Sequence, residues 1–183
     1  MKFIKTKIEG LTILEPRIFT DSRGYFFESF SKREFEKEIG EIEFVQDNES
    51  CSIKGVIRGL HFQKPPYSQA KLVKCVVGKV LDVAVDLRKG SSTYGKYVAV
   101  ELSDENHLQF FIPKGFAHGF EVLSDKAVFQ YKCDEYYHPE AEGGIDMFDP
   151  EIGIEWHTSP ENAIISEKDK NHPPFSLFKS HFI

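Results

Sequence analysis

The chain has 183 residues, 40% of them apolar, which is one ordinary domain able to bury roughly 70% of its unfolded surface without a metal or disulfide staple. Its 23 basic residues face 29 acidic ones, a net charge of −6. That excludes the basic surplus of a general nucleic-acid binder, but a few arginines gathered in one cleft can still hold an anionic small molecule.

In chain order, Ser31 followed by Glu34 has the spacing of a capping box, and Phe35 and Ile39 stand i, i+4 behind it. This predicts a short helix over 32–39. Apolar alternations between turn signals predict strands over 55–62, 72–77, 79–88, 97–102, 109–112, 118–123 and 128–133. The clearest is 79–88, with Leu81, Val83, Val85 and Leu87 on one face and Asp82, Ala84, Asp86 and Arg88 on the other. Read by period alone, it is a half-buried strand. The acidic segment 140–155, with Glu140, Glu142, Asp146, Asp149 and Glu151, reads as a surface loop. A second helix is expected after Ser159, with Pro160 at its first position. Seven short strands at this spacing make an antiparallel sandwich or barrel. No repeat, low-complexity run or linker divides the chain, so 1–183 is expected to be one domain.

Cys51, Cys75 and Cys133 are scattered without a CxxC pair, which speaks against a disulfide framework and for a reducing compartment. No run of 18 apolar residues occurs, and the first ten residues lack a signal-peptide core. The expectation is a soluble, cytoplasmic protein with no membrane partner.

Four segments carry more polar and special residues than a sandwich needs: 21–28, 46–63, 69–73 and 112–120, the last followed by Tyr131. With GVIRGLHFQ at 55–63, DVAVDLRKGSSTYG at 82–95 and IPKGFAHGF at 112–120, the chain resembles the dTDP-4-dehydrorhamnose 3,5-epimerases over about 13–169. The resemblance implies a mainly β cupin fold, a double-stranded β-helix jelly roll of antiparallel strands with a few short helices. It implies an isomerase that inverts C3 and C5 of dTDP-4-dehydro-6-deoxy-D-glucose in dTDP-L-rhamnose biosynthesis, with no cofactor and no metal. It also implies a homodimer in which an N-terminal strand crosses to the partner.

Epimerisation beside a ketone needs a base on one face of the sugar, a proton donor on the other, and a charge that holds the enolate. Histidine, tyrosine and lysine suit these tasks in that order. The chain offers His61, Tyr131 and Lys71 on three separate predicted strands. Spacing alone leaves each a bland alternative: a core histidine, a strand aromatic, a solvated edge lysine. The resemblance makes His61 the base, Asp169 its orienting carboxylate, Tyr131 the acid and Lys71 the enolate stabiliser. Tyr136 and Tyr137 remain alternatives for the acid by position alone.

Arg23 and Arg58 are forked donors suited to diphosphate oxygens. The resemblance adds Glu28, Gln46 and Asn48 as base and sugar contacts, His118 as a sugar contact, and Glu142 and Lys168 as further binding positions. It also implies that segment 23–28 comes from the neighbouring subunit, with Phe26 near the thymine. Arg58 and His61 are three apart, so a regular strand would send them to opposite faces; a bulge at Gly59, or an approach of Arg58 from the barrel rim, would reconcile them.

Three rivals are weighed. A metal-dependent oxygenase of cupin type needs a His-x-His pair, which is broken here as His61-Phe62-Gln63. A non-catalytic sugar-binding sandwich has no use for the His61, Lys71 and Tyr131 set. A sister enzyme inverting only C3 or only C5 could share His61 and Tyr131.

Overall fold

The computed structural model describes residues 1–182; Ile183, the last residue of the expected domain, lies outside the described residues. Its elements are β1 (Lys2–Lys5), β2 (Thr12–Glu15), β3 (Phe19–Asp21), β4 (Gly24–Phe26), α1 (Lys32–Glu38), β5 (Gln46–Ile53) and β6 (Ile57–Gln63). These are followed by β7 (Lys71–Val77), β8 (Lys79–Asp86), β9 (Tyr97–Ser103), β10 (Gln109–Ile112), β11 (Phe116–Val122), β12 (Lys126–Cys133), β13 (Glu142–Gly144) and α2 (Glu167–Lys170). Two antiparallel sheets form, in strand orders β1-β2-β10-β7-β12-β5 and β13-β6-β11-β8-β9. Between them lies the main core, which includes Val73, Cys75, Val80, Ala84, Phe110, Phe116, Phe120 and Phe129. This is the antiparallel sandwich expected from the strand pattern, in the jelly-roll form that the resemblance implies.

Each sheet has its outer face covered as well. Behind the six-stranded sheet, Phe35 of α1 meets Phe30, Phe44 and Phe111 at ring separations of 5.2–5.6 Å. Behind the five-stranded sheet, the C-terminal coil packs Ile145, Met147, Ile152, Phe175 and Phe182 against Leu60, Val83, Val85 and Leu87. The 79–88 strand is therefore buried on both faces, not half-buried: Asp82, Ala84 and Asp86 are as inaccessible as Val83 and Val85. Its polar face points into the barrel, because a sheet sandwiched between two apolar layers offers no side to water.

Three further expectations are corrected. Helix α1 forms, but Ser31 makes no side-chain cap; Glu34 Oε2 instead accepts from the amino terminus of Met1 at 3.1 Å. No helix follows Ser159. Residues 159–162 turn once, Ile164 bridges to Val56 on the sheet edge, and the helix begins only after Ser166, whose Oγ accepts from Asp169 N at 3.1 Å. Segment 140–155 is more than a surface loop: β13 extends the sheet beside β6, and Asp149 is buried, accepting from the N–H groups of Glu151 and Phe175.

The β3–β4 hairpin hydrogen-bonds to neither sheet. Phe26 at its end is 70% exposed. Among the described residues no helix is long and apolar enough to cross a membrane.

Candidate active site

Polar side chains from both sheets enter the otherwise apolar interior. Strand β6 brings His61, and the way it does so answers the parity conflict. Against β11, His61 sits opposite His118 and Arg58 opposite Phe120, so three steps on β6 match two on its neighbour. The extra residue is a bulge at Gly59–Leu60, and it returns Arg58 and His61 to one face. Gly59 has φ +143°, and a Cβ there would meet the backbone of Gly119 at 2.7 Å. Only glycine fits this position.

His61 Nε2 lies 2.8 Å from Asp169 Oδ1. The other oxygen, Oδ2, accepts the Gly59 N–H at 3.2 Å. Burial alone would raise the Asp169 carboxyl, but the hydrogen bonds from His61, Gly59 and Ser166 overcome it and hold the group below the usual carboxylate range. Asp169 is thus a fixed anion behind a half-exposed imidazole, the arrangement that orients a base and stabilises its charged form.

Across the interior, β7 contributes Lys71 and β12 contributes Tyr131. The Lys71 ammonium sits 5.7 Å from the centre of the Tyr131 ring. Burial lowers the lysine from its ordinary value, with Cys133, Asp82 and Glu142 acting in the other direction. Burial also raises the Tyr131 phenol, which keeps it protonated and able to donate. Tyr136 and Tyr137 stand apart from this interior: both are more than half exposed, and Tyr137 Oη donates to Glu142 Oε2 at 2.7 Å.

His118 is buried on β11, with Nε2 2.8 Å from Asp82 Oδ2 on β8. Desolvation lowers its pKa, against the pull of Asp82. Asp82 was missed in the sequence because its alternation marked it as solvent-facing. Gln63, which breaks the His-x-His pair, is a buried clamp. Its Nε2 donates to the carbonyls of Tyr67 and Tyr136, and its Oε1 accepts from His138 N.

Of the remaining expected residues, Arg58 and Lys168 line one opening with His61 and Asp169, and Asn48 lines another with Tyr131. Arg58 Nε donates to Ser52 Oγ at 3.1 Å. Gln46 Nε2 donates to Asn48 Oδ1 at 2.9 Å, while Gln46 Oε1 accepts from Tyr137 N. Lys168 Nζ pairs with Glu142 Oε2 at 2.5 Å. Arg23, Phe26 and Glu28 are not brought to this group: they lie exposed on and after the free hairpin, and Arg23 pairs with Asp21.

Two facing antiparallel sheets that enclose a carboxylate-held histidine, a lysine and a tyrosine make a cupin-like scaffold with the groups that proton transfer needs. The description of the dTDP-4-dehydrorhamnose 3,5-epimerases matches residues 5–176, and the chain belongs to that family. It is 54% identical to the dTDP-4-dehydrorhamnose 3,5-epimerase of Methanothermobacter thermautotrophicus over 94% of each chain. It is also 54% identical to that of Escherichia coli K12, over 93% of this chain and 92% of the other. A solved dTDP-6-deoxy-D-glucose-3,5-epimerase from Legionella pneumophila, in complex with dTDP-4-keto-L-rhamnose, superposes with a TM-score of 0.93. That protein is 50% identical, with 97% of this chain and 94% of the other covered.

Proposed function

We propose that this epimerase converts dTDP-4-dehydro-6-deoxy-D-glucose to dTDP-4-dehydro-β-L-rhamnose. The observation that carries the reading is the His61–Asp169 pair on one side of a barrel interior that holds Lys71 and Tyr131 on the other. His61 removes the proton from C5 and then from C3. Both carbons flank the C4 ketone, so one ammonium, Lys71, serves both enolates. Tyr131 returns a proton from the opposite face at C5, and solvent supplies the one at C3. Neither step calls for a cofactor or metal. The apolar walls keep bulk water away and strengthen each of these charge effects.

Arg58 takes a diphosphate oxygen, His118 a sugar hydroxyl, and Gln46, Asn48, Glu142 and Lys168 the remaining polar atoms of the nucleotide sugar. Arg23, Phe26 and Glu28 act in a partner's site, within a homodimer whose N-terminal segments cross. The free hairpin and its exposed Phe19, Tyr25 and Phe26 support that assembly. The cytoplasm, where nucleotide sugars are made, is the compartment that fits this substrate.

The test is NMR of the substrate incubated with the protein in D2O, with the product trapped by a 4-keto reductase. Deuterium at both C3 and C5 of an L-rhamno product is expected. Deuterium at one carbon only would reduce the reading to a single-centre epimerase, and none at either would end it.

A further inference from the structure

The mechanism leaves one histidine beside the dyad unused. His172 follows Asp169 by three residues, and its N–H approaches the Asp169 carbonyl at 3.4 Å, so the two side chains leave the same side of one helical turn. The His172 ring stands edge-on to His61, with 5.5 Å between centres and 88° between planes. It lies flat over Gly144, where a Cβ would collide with it. Its Nδ1 is buried and has no hydrogen-bond partner among the described residues. One ligand atom each from His61, Asp169 and His172 fall within 4.8 Å of one another.

Two imidazoles and a carboxylate are a donor set for a divalent transition ion that keeps a further position for water. The carboxylate-x-x-histidine spacing on a helical turn is one that metal sites use. Asp169 has the outer support such ligands need, since Gly59 N–H fixes its second oxygen. An opening lined by Ile57, Arg58, Ile164 and Ser166 leads to His61 and Asp169, so an ion has a way in. The neighbouring Lys168 charge is already paired with Glu142.

We propose that His61, Asp169 and His172 form a site for one divalent ion of the zinc class, and that the ion inhibits the enzyme. An ion on one imidazole nitrogen leaves the other as N–H, which ends the service of His61 as a base. The inhibition rests on the base role proposed above; the binding does not.

The test titrates Co2+, as a coloured stand-in for zinc, into the full chain purified without chelator, and follows turnover against added Zn2+. One Co2+ per chain with tetrahedral visible absorption is expected, weakened at least tenfold in both His172→Ala and Asp169→Asn. Zinc should inhibit the wild type reversibly by EDTA, and His172→Ala should keep its turnover while needing at least tenfold more zinc. Equal cobalt affinity in the wild type and both variants overturns the site, whatever the epimerase assay gives. Equal zinc sensitivity of the wild type and His172→Ala overturns the inhibition through His172.

Discussion

Lys71 and Tyr131 hold an ammonium and a phenol ring 5.7 Å apart inside the barrel, on neighbouring strands β7 and β12. Both are pushed by burial toward their neutral forms. A desolvated lysine with no salt-bridge partner among the described residues is costly for the fold, so its presence points to work done on a ligand.

Lys71→Met separates that cost from that work. The variant should lose about 10²–10³-fold in kcat, the usual loss when a preorganised enolate or oxyanion donor goes. Its melting temperature should equal or exceed that of the wild type, because an apolar side chain of similar length replaces a desolvated charge. A clear drop in melting temperature would make Lys71 a structural residue instead.

Tyr131→Phe should divide the reaction in half. His61 would still take the C5 proton, so deuterium from D2O would still enter recovered substrate, while product formation would fall about 10²–10⁴-fold with the loss of the acid. Normal product formation would move the donor role to another tyrosine or to water.

The Asp86 carboxylate makes the protein's acid sensitivity predictable. It is buried on β8 and accepts from Arg88 through Nε at 2.9 Å and Nη2 at 2.8 Å, and from the hydroxyls of Ser91 and Thr93. Burial alone would raise it, yet these bonds hold it at about 2. A folded value below the unfolded one stabilises the fold above about pH 4, and that contribution is lost as the pH falls from about 4 toward 2. Asp86→Asn should therefore cost roughly 2 kcal/mol near neutral pH and show a flatter decline across that acid window. Denaturant midpoints at pH 7 and pH 3 measure both. The 86–95 stretch thus has a structural reading: one carboxylate ties Arg88, Ser91 and Thr93 into a single turn.

Mixing inactive variants tests the crossed dimer. Arg23→Ala combined with Phe26→Ala spoils the arm, and His61→Ala spoils the barrel. Refolded together, the two should regain activity, up to about one quarter of wild type, through mixed dimers with one intact site. Activity that never recovers on mixing would place the arm and the barrel of one site in the same chain.

The strands of the barrel were legible because period 2 survives in them: β6, β7, β9, β10, β11 and β12 begin and end within two residues of their predicted bounds. Strand β5 was not, since Gln46-Asp-Asn-Glu-Ser carries no apolar alternation; it forms because every residue from Gln46 to Ile53 has a partner on β12. Period 2 also could not say which face of β8 met water, and so Asp82 went unnoticed. The parity conflict offered a bulge at Gly59 as one of two answers, and only the register of β6 on β11 chooses it. Helix α2 was hidden by its length of four residues, which depends on the Ser166 cap and on packing rather than on propensity. The convergence of His61, Lys71 and Tyr131 came from family resemblance; no local signal carries a relationship between strands.

The coil that lays Met147, Ile152 and Phe175 over the five-stranded sheet is also the segment that carries Asp169. During synthesis it leaves the ribosome after all the strands from β1 to β13. The Asp169 carboxylate, 108 residues downstream of His61, is therefore made after the strands it completes, and the pair forms only once that coil has docked on the sheet.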